Sequence, residues 1–250
     1  MSTASEARQL ATEADARLRA KTNPERQEFT QGYFPSRLEN LGVALTDMRV
    51  LLRDLAKRTK KEHPEHVLEV ARAILVQRTL EGRNLAYLLL NKRPDTLALL
   101  GQKELDELGQ GNDNWTSVDT FGCYVAGPVW REGGIKDASV KRWARSKDRW
   151  WRRTALVCTI AWNMPSRGGR GGADATRRTL ALCELLSADH DDMVVKGMSW
   201  ALRGLALHAP EDARGFLADH PELHSRVKRE VGNKLETGKK TPSFARRKKA

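Results

Sequence analysis

Residues 63–94 read HPEHVLEVARAILVQRTLEGRNLAYLLLNKRP, and their periodicity decides the fold class. Between His63-Pro64 and Arg93-Pro94 the apolar residues recur at helical spacing, first as Val67-Val70-Ala71-Ile74-Leu75 and again as Leu85-Tyr87-Leu88-Leu89. The pattern extends outward on both sides. Leu45-Met48-Leu51-Leu52-Leu55 precedes it, and Ala155-Leu156-Thr159-Ile160, Leu180-Leu182-Leu185 and Val194-Met198-Ala201-Leu202-Leu205 follow. Alternating β-branched runs bounded by turns do not occur. Breakers punctuate the chain at Asn23-Pro24, Gly109 to Asn112, Gly133-Gly134, Pro165, Ala209-Pro210 and His220-Pro221. The expectation is an all-α chain of about twelve or thirteen helices, roughly 10–17 residues each, joined by short loops. No exact repeat is visible, but degenerate repeats of about 40 residues, of the HEAT type, are compatible with this spacing. Such repeats stack into a curved α-solenoid whose concave face suits an elongated partner. The expected organisation is one domain over 1–237 and a basic, disordered tail over 238–250.

Composition excludes several classes. Of the 250 residues 40% are hydrophobic and 30% charged, as in a globular protein, and no apolar run is long enough to span a bilayer. The first 20 residues are polar and carry Glu6, Glu13 and Asp15, unlike a secretory signal, so a cytoplasmic protein without membrane partners is expected. Cys123, Cys158 and Cys183 lie far apart in apolar stretches and read as buried thiols. His63 and His66 flank Pro64 and offer no convergent set of ligands, so neither metal nor cofactor is expected.

The charge is informative by its placement. There are 44 basic and 32 acidic residues, a net charge of +12. Residues 139–153 hold seven cations (Lys141, Arg142, Arg145, Lys147, Arg149, Arg152 and Arg153) and one acid, Asp148; residues 239–250 hold six cations and no acid. These two segments supply +6 each, and the rest of the chain is neutral. A polyanion footprint looks like this, although the tail by itself reads equally well as a solubilising segment. In the central segment tryptophans are interleaved with the cations: Trp143, Trp150 and Trp151 cannot all be exposed, and at least one belongs to the core. The glycine-rich run from Pro165 to Gly172 is too flexible to order by itself; it is either a linker or a loop whose Arg167 and Arg170 touch phosphates.

Three stretches carry candidate chemistry. In Asn114-Trp115-Thr116-Ser117-Val118-Asp119, Asn114 can cap a helix on which Trp115 and Asp119 share a face at i and i+4. An indole face attracts a cation, and a carboxylate beside it stabilises developing positive charge or takes a proton from water. In Lys141 to Arg153, Ser146-Lys147-Asp148 reads as a turn before a helix from Trp150 to Asn163, placing Arg153 near a helix start where an anion is favoured. The third stretch is Lys196 to Arg203, with Trp200 in an amphipathic helix. Judged singly, Trp115 and Trp200 could be ordinary core, and Arg152 rivals Arg153.

Taken together, these stretches resemble the AlkD-type DNA alkylation repair glycosylases, which are built from HEAT-like repeats. The resemblance rests on Trp115 and Asp119, on Trp150-Trp151-Arg152-Arg153-Thr154-Ala155, and on Trp200-Ala201-Leu202-Arg203, in the family's order. Asn23-Pro24-Glu25-Arg26, Tyr33-Phe34 and Leu41-Gly42-Val43 are similar to its opening, so the likeness runs from about residue 20 to 237. The glycine-rich run at 166–172 reads as an insertion. The resemblance implies a monomeric, monofunctional glycosylase acting on duplex DNA with cationic alkylated bases, such as N3-methyladenine, N7-methylguanine and bulkier adducts, in base excision repair and without a base-flipping pocket. It implies Asp119 beside the deoxyribose, Trp115 and Trp200 packed on the lesion's backbone and sugar, and Arg153 on a flanking phosphate. Arg152, Arg149, Lys147, Arg145, Arg142, Lys141, Arg203, Arg167 and Arg170 are the accompanying DNA-binding candidates. Two other readings differ in their consequences. A non-catalytic helical-repeat protein for distorted or branched DNA would have no use for Asp119, and a protein-interaction scaffold would bind DNA weakly.

Overall fold

The computed structural model describes residues 3–241; the basic tail expected over 238–250 is described only to residue 241, and its remainder lies outside the described residues. Contacts divide the chain into two compact units, one up to Ser139 and one from Val140. In the first, the helices are α1 (Thr3–Arg19), α2 (Pro24–Tyr33), α3 (Leu45–Arg58), α4 (Pro64–Val76), α5 (Leu80–Asn91), α6 (Pro94–Leu97), α7 (Gln102–Gly109), α8 (Trp115–Phe121) and α9 (Gly127–Arg131). Helix α10 (Asp137–Ala144) begins in the first unit and ends in the second, which continues with α11 (Arg149–Cys158), α12 (Ile160–Asn163), α13 (Ala173–Leu185), α14 (Asp192–Leu205), α15 (Pro210–Asp219) and α16 (Ser225–Thr237). Among the described residues the one departure from helix and loop is an isolated parallel bridge between Glu39 and Thr79. The chain is all-α, as its periodicity requires. No helix among the described residues is long and apolar enough to cross a membrane.

The proline breakers open helices rather than merely separating them. Pro24, Pro64, Pro94 and Pro210 each occupy the first turn, where the missing N–H has no intrahelical partner to lose. Helix α5 is the hub of the first unit: α3, α4 and α8 pack on it, and nine of its twelve residues are buried. Helix α14 is the hub of the second, packed by α11, α13 and α16. Cys123, Cys158 and Cys183 are all buried.

Two local features depart from the sequence reading. First, the helices are more numerous and several are shorter than expected. The segment expected as one helix from Trp150 to Asn163 is split at Thr159, whose hydroxyl donates to the Leu156 carbonyl (2.6 Å) while its N–H bonds the same oxygen (3.1 Å). That local bond tightens the turn and competes with the α-helical ladder. Second, α8 runs into α9 through a π-helical turn, Gly122–Ala126, in which the Gly127 N–H reaches back to the Gly122 carbonyl. Pro128 follows directly; it has no N–H for the Tyr124 carbonyl four residues back, and the wider turn makes room for its ring.

The glycine-rich run is a built turn. Pro165–Arg167 form one 3-10 turn, the Gly169 N–H donates to Met164 O (3.0 Å), and the Gly171 N–H donates to Trp162 O (2.9 Å). Gly169 lies so close to the end of α12 that a Cβ there would fall 2.6 Å from the Trp162 carbonyl carbon. The order that glycines alone could not supply comes from this docking.

Candidate functional site

In the first unit the candidate residues are set by the start of α8. Asn114 is extended, and its side chain accepts from the Ser117 N–H (2.9 Å), so the expected cap is formed. Val118 and Phe121 turn into the core. Trp115 and Asp119, one turn apart, are consequently left half-buried on the opposite flank. Trp115 is not a core tryptophan. Tyr33 and Phe34 meet it edge to face, with ring centroids 5.5 and 5.6 Å away, and Phe29 stacks on Tyr33 at 6.1 Å. Phe29 and Tyr33 are 72% and 62% exposed. Four aromatic rings thus form a wall, with Phe29 and Tyr33 exposed and Phe34 and Trp115 half-buried, one helical turn from a carboxylate. Sequence reading placed Tyr33-Phe34 only in a family-like opening. The available signal was two aromatics, Phe29 and Tyr33, at i and i+4 in an otherwise polar segment.

The loop entering α8 is held from beneath. Buried Arg83 donates through Nη1 to the Tyr87 hydroxyl (3.0 Å), Gln110 O (2.9 Å) and Asn112 Oδ1 (3.2 Å), and the Tyr87 hydroxyl donates to Leu108 O (2.7 Å). Desolvation raises the Tyr87 pKa, so the phenol stays a neutral donor.

In the second unit the structure sorts the basic segment by exposure. Arg142, Arg145, Lys147 and Arg149 are exposed, and Lys141 is half-buried. Arg152 is half-buried and knits the preceding turn. It pairs with Asp189 at 2.6 Å and donates to Ser146 O (3.1 Å) and Lys147 O (2.9 Å). Arg153 is buried, and its Nη1 donates to Met193 O in the first turn of α14 (2.6 Å). Arg149 reaches Asp191, the cap of α14, at 3.5 Å while lying over the Trp150 ring. The arginines that begin α11 therefore also fasten it to the start of α14. The stem of Arg153 crosses α14 at Gly197, one turn before Trp200, where a Cβ would stand 3.5 Å from Arg153 Cγ, in ordinary contact. Sequence reading did not identify Gly197, which in a sequence is an ordinary helix-weakening glycine.

The tryptophans divide the same way. Trp143 is buried and stacked on Trp151 (5.2 Å), so it supplies the expected core member, while Trp150 and Trp151 are half-buried. Trp200 is half-buried too, although Val194, Met198, Ala201 and Leu202 of the same helix are core, and the plain core reading of it does not hold. Arg203 donates through Nε to Ser199 Oγ (3.2 Å), which in turn donates to buried Glu230 (2.6 Å). Burial lowers the Arg203 pKa and the Glu230 charge works against that. On the glycine loop Arg170 is exposed and Arg167 half-buried.

Trp115 and Asp119 thus share one helix of the first unit, and Arg153 and Trp200 lie on α11 and α14, two helices of the second that pack together. Compared with known proteins, residues 14–235 match the family described as DNA alkylation repair enzyme. No curated protein matches the chain.

Proposed function

We propose that this chain, which belongs to the DNA alkylation repair enzyme family and so has DNA as its partner, is a monofunctional glycosylase releasing cationic alkylated bases from duplex DNA. The observation that carries this reading is Asp119, a half-buried carboxylate one turn along α8 from the aromatic wall around Trp115. On a protein that binds a polyanion, a carboxylate opposes the phosphates and weakens affinity. Its presence is reasonable where positive charge develops during reaction.

Alkylation at N7 of guanine or N3 of adenine makes the base cationic. The C1′–N bond then breaks with its electron pair passing to the base, which leaves neutral, and the sugar becomes an oxocarbenium-like cation. Asp119 stabilises that cation. Water adds at C1′ and gives up a proton, for which the carboxylate is a suitable acceptor. The products are free base and an abasic sugar. Trp115, with Tyr33 and Phe34 on its edges, offers an aromatic surface to the sugar and the cationic base. Trp200 packs on backbone and sugar, and Arg153 meets a flanking phosphate with the guanidinium that it anchors at Met193. The exposed cations Arg142, Arg145, Lys147 and Arg149 supply salt-dependent attraction to the phosphates. A base held against an aromatic wall need not be enclosed, which would leave room for bulky adducts.

The test is base release from duplex DNA containing N7-methylguanine. Wild type should produce free base and abasic sites, and Asp119→Asn should slow release by roughly 10²–10³-fold with duplex binding retained. Tight binding with no release by wild type would favour the non-catalytic alternative. Release by Asp119→Asn at the wild-type rate would remove the carboxylate from the chemistry. Arg153→Ala should lower the salt dependence of binding by about one phosphate contact, and an unchanged slope refutes that contact.

A further inference from the structure

A carboxylate fastens the start of α8 to the segment that follows α2. Asp113 lies two residues before Trp115, and its side chain is only 10% exposed. Its Oδ1 accepts from the Ser36 hydroxyl (2.6 Å) and from Asn114 Nδ2 (3.2 Å). Its Oδ2 accepts from the Arg37 backbone N–H (2.7 Å) and more distantly from Arg37 Nε (3.4 Å). The Arg37 guanidinium is 85% exposed, so the backbone N–H and the hydroxyl carry the contact. Ser36 stands two residues after Phe34, and Pro35 between them keeps Phe34 out of the helix. The two strands of chain joined by Asp113 are therefore the ones whose aromatic rings meet at Trp115.

The rings alone do not fix this arrangement. Phe29 and Tyr33 are largely exposed and α2 buries none of its residues, so burial supplies little force to hold α2 against α8. A charge-assisted pair of hydrogen bonds, sheltered from solvent, is the stronger and more directional restraint. An aromatic surface that must present itself to a ligand without collapsing needs such a support.

We propose that Asp113 is a positioning residue: its carboxylate latches Ser36 and Arg37 onto the start of α8 and so holds Trp115 against Tyr33 and Phe34 in the orientation that reaction requires. The effect on catalysis rests on the glycosylase reading above; the latch itself does not. The carboxylate is needed rather than an amide of the same shape. Ser36 Oγ already accepts from the Leu38 N–H (3.1 Å) and from Asn114 Nδ2 (3.4 Å), which fills its two lone pairs. An asparagine at 113 could satisfy the Arg37 N–H with its oxygen only by pointing its NH2 at a serine with nothing left to accept it.

The test uses the full chain labelled with 5-fluorotryptophan, which gives one fluorine line for each of its 7 tryptophans. Trp115→Phe identifies the Trp115 line. In Asp113→Asn, and to a smaller extent in the milder Ser36→Ala, that line should move toward the position of the free amino acid while the other lines stay in place. Single-turnover base release from N7-methylguanine duplex should slow by roughly ten- to a hundredfold, the penalty of a misplaced group near the reacting atoms, with duplex affinity unchanged. A Trp115 line that does not move in either folded variant overturns the latch. A line that moves without slowing release by an active wild type overturns its role in positioning, as does slowing matched by an equal loss of affinity. If wild type releases no base, the glycosylase reading fails while the fluorine lines still decide the latch.

Discussion

Replacing Gly197 by alanine should stabilise the protein, and replacing it by leucine should both destabilise it and impair DNA binding. The position is inside α14 where that helix crosses α11. A Cβ built on Gly197 stands 3.5 Å from Arg153 Cγ, 3.5 Å from Leu156 Cδ1 and 3.7 Å from Leu156 Cβ, which are ordinary van der Waals separations. Alanine therefore fits without moving a neighbour. Inside a helix it is favoured over glycine by about 0.8–1.0 kcal/mol, and one more buried methyl adds up to about 0.8 kcal/mol. Allowing for imperfect contact, a net gain of about 1 kcal/mol is expected. For a chain of this size that raises the thermal midpoint by about 2–4 °C. Leucine instead places three further carbons where Arg153 and Leu156 already lie. Overpacking of this kind costs about 1–3 kcal/mol and displaces the stem of Arg153. The assays are thermal melts of the three proteins and the salt dependence of duplex binding. Gly197→Ala should keep the wild-type salt slope and Gly197→Leu should lose part of it. A lower midpoint for Gly197→Ala would mean that α11 and α14 approach more closely than described. An unchanged slope for a folded Gly197→Leu would mean that Arg153 does not depend on this crossing for its effect on DNA.

Further outcomes follow from the polar network around α8 and from the thiols. Tyr87→Phe removes the hydroxyl that donates to the Leu108 carbonyl; leaving that buried acceptor unpaired should cost about 1–3 kcal/mol in urea denaturation, and no loss would show that the bond contributes nothing. Burial works to raise the pKa of the Asp113 carboxyl, but the hydrogen bonds from Ser36, Arg37 and Asn114 outweigh it and hold it below the ordinary aspartate value of 3.8. A folded-state pKa lower than the unfolded one contributes stability above 3.8 that disappears as pH falls through the folded value. The stability gap between wild type and Asp113→Asn should therefore be widest above that range and shrink in acid, and a gap that widened in acid would contradict the latch. The three cysteines are buried, and burial pushes the Cys183 thiol well above its usual range. A thiol reagent should label the chain only after unfolding, and fast labelling of native protein would contradict that burial.

The sequence by itself determined the elements that depend on near neighbours along the chain. Apolar spacing in stretches such as Val67 to Leu75 specifies helices, because a helix face is made by residues three and four apart. Pro64 and Pro210 mark helix starts because the ring forbids a donor that the first turn does not need. Asn114 caps α8, and Trp115 and Asp119 share a face, for equally local reasons. The break at Thr159 and the π turn before Pro128 were also encoded locally, in a hydroxyl and an imide ring, but their signal is weak beside the apolar period. Only the tertiary structure decided which tryptophans are core and which stay accessible. Trp143, Trp150 and Trp151 occupy one basic stretch, yet only Trp143 is buried, because burial is set by what packs over a ring and not by the residues beside it in the chain. It likewise separated Arg152, held by Asp189 and the turn before α11, from Arg153, laid across Gly197 to Met193. The same holds for Asp113, an ordinary loop aspartate in the sequence, which acquires a specific role because folding brings Ser36 and Arg37 to it. Side chains far apart in sequence find one another through the packing of whole helices, and no local pattern records that meeting.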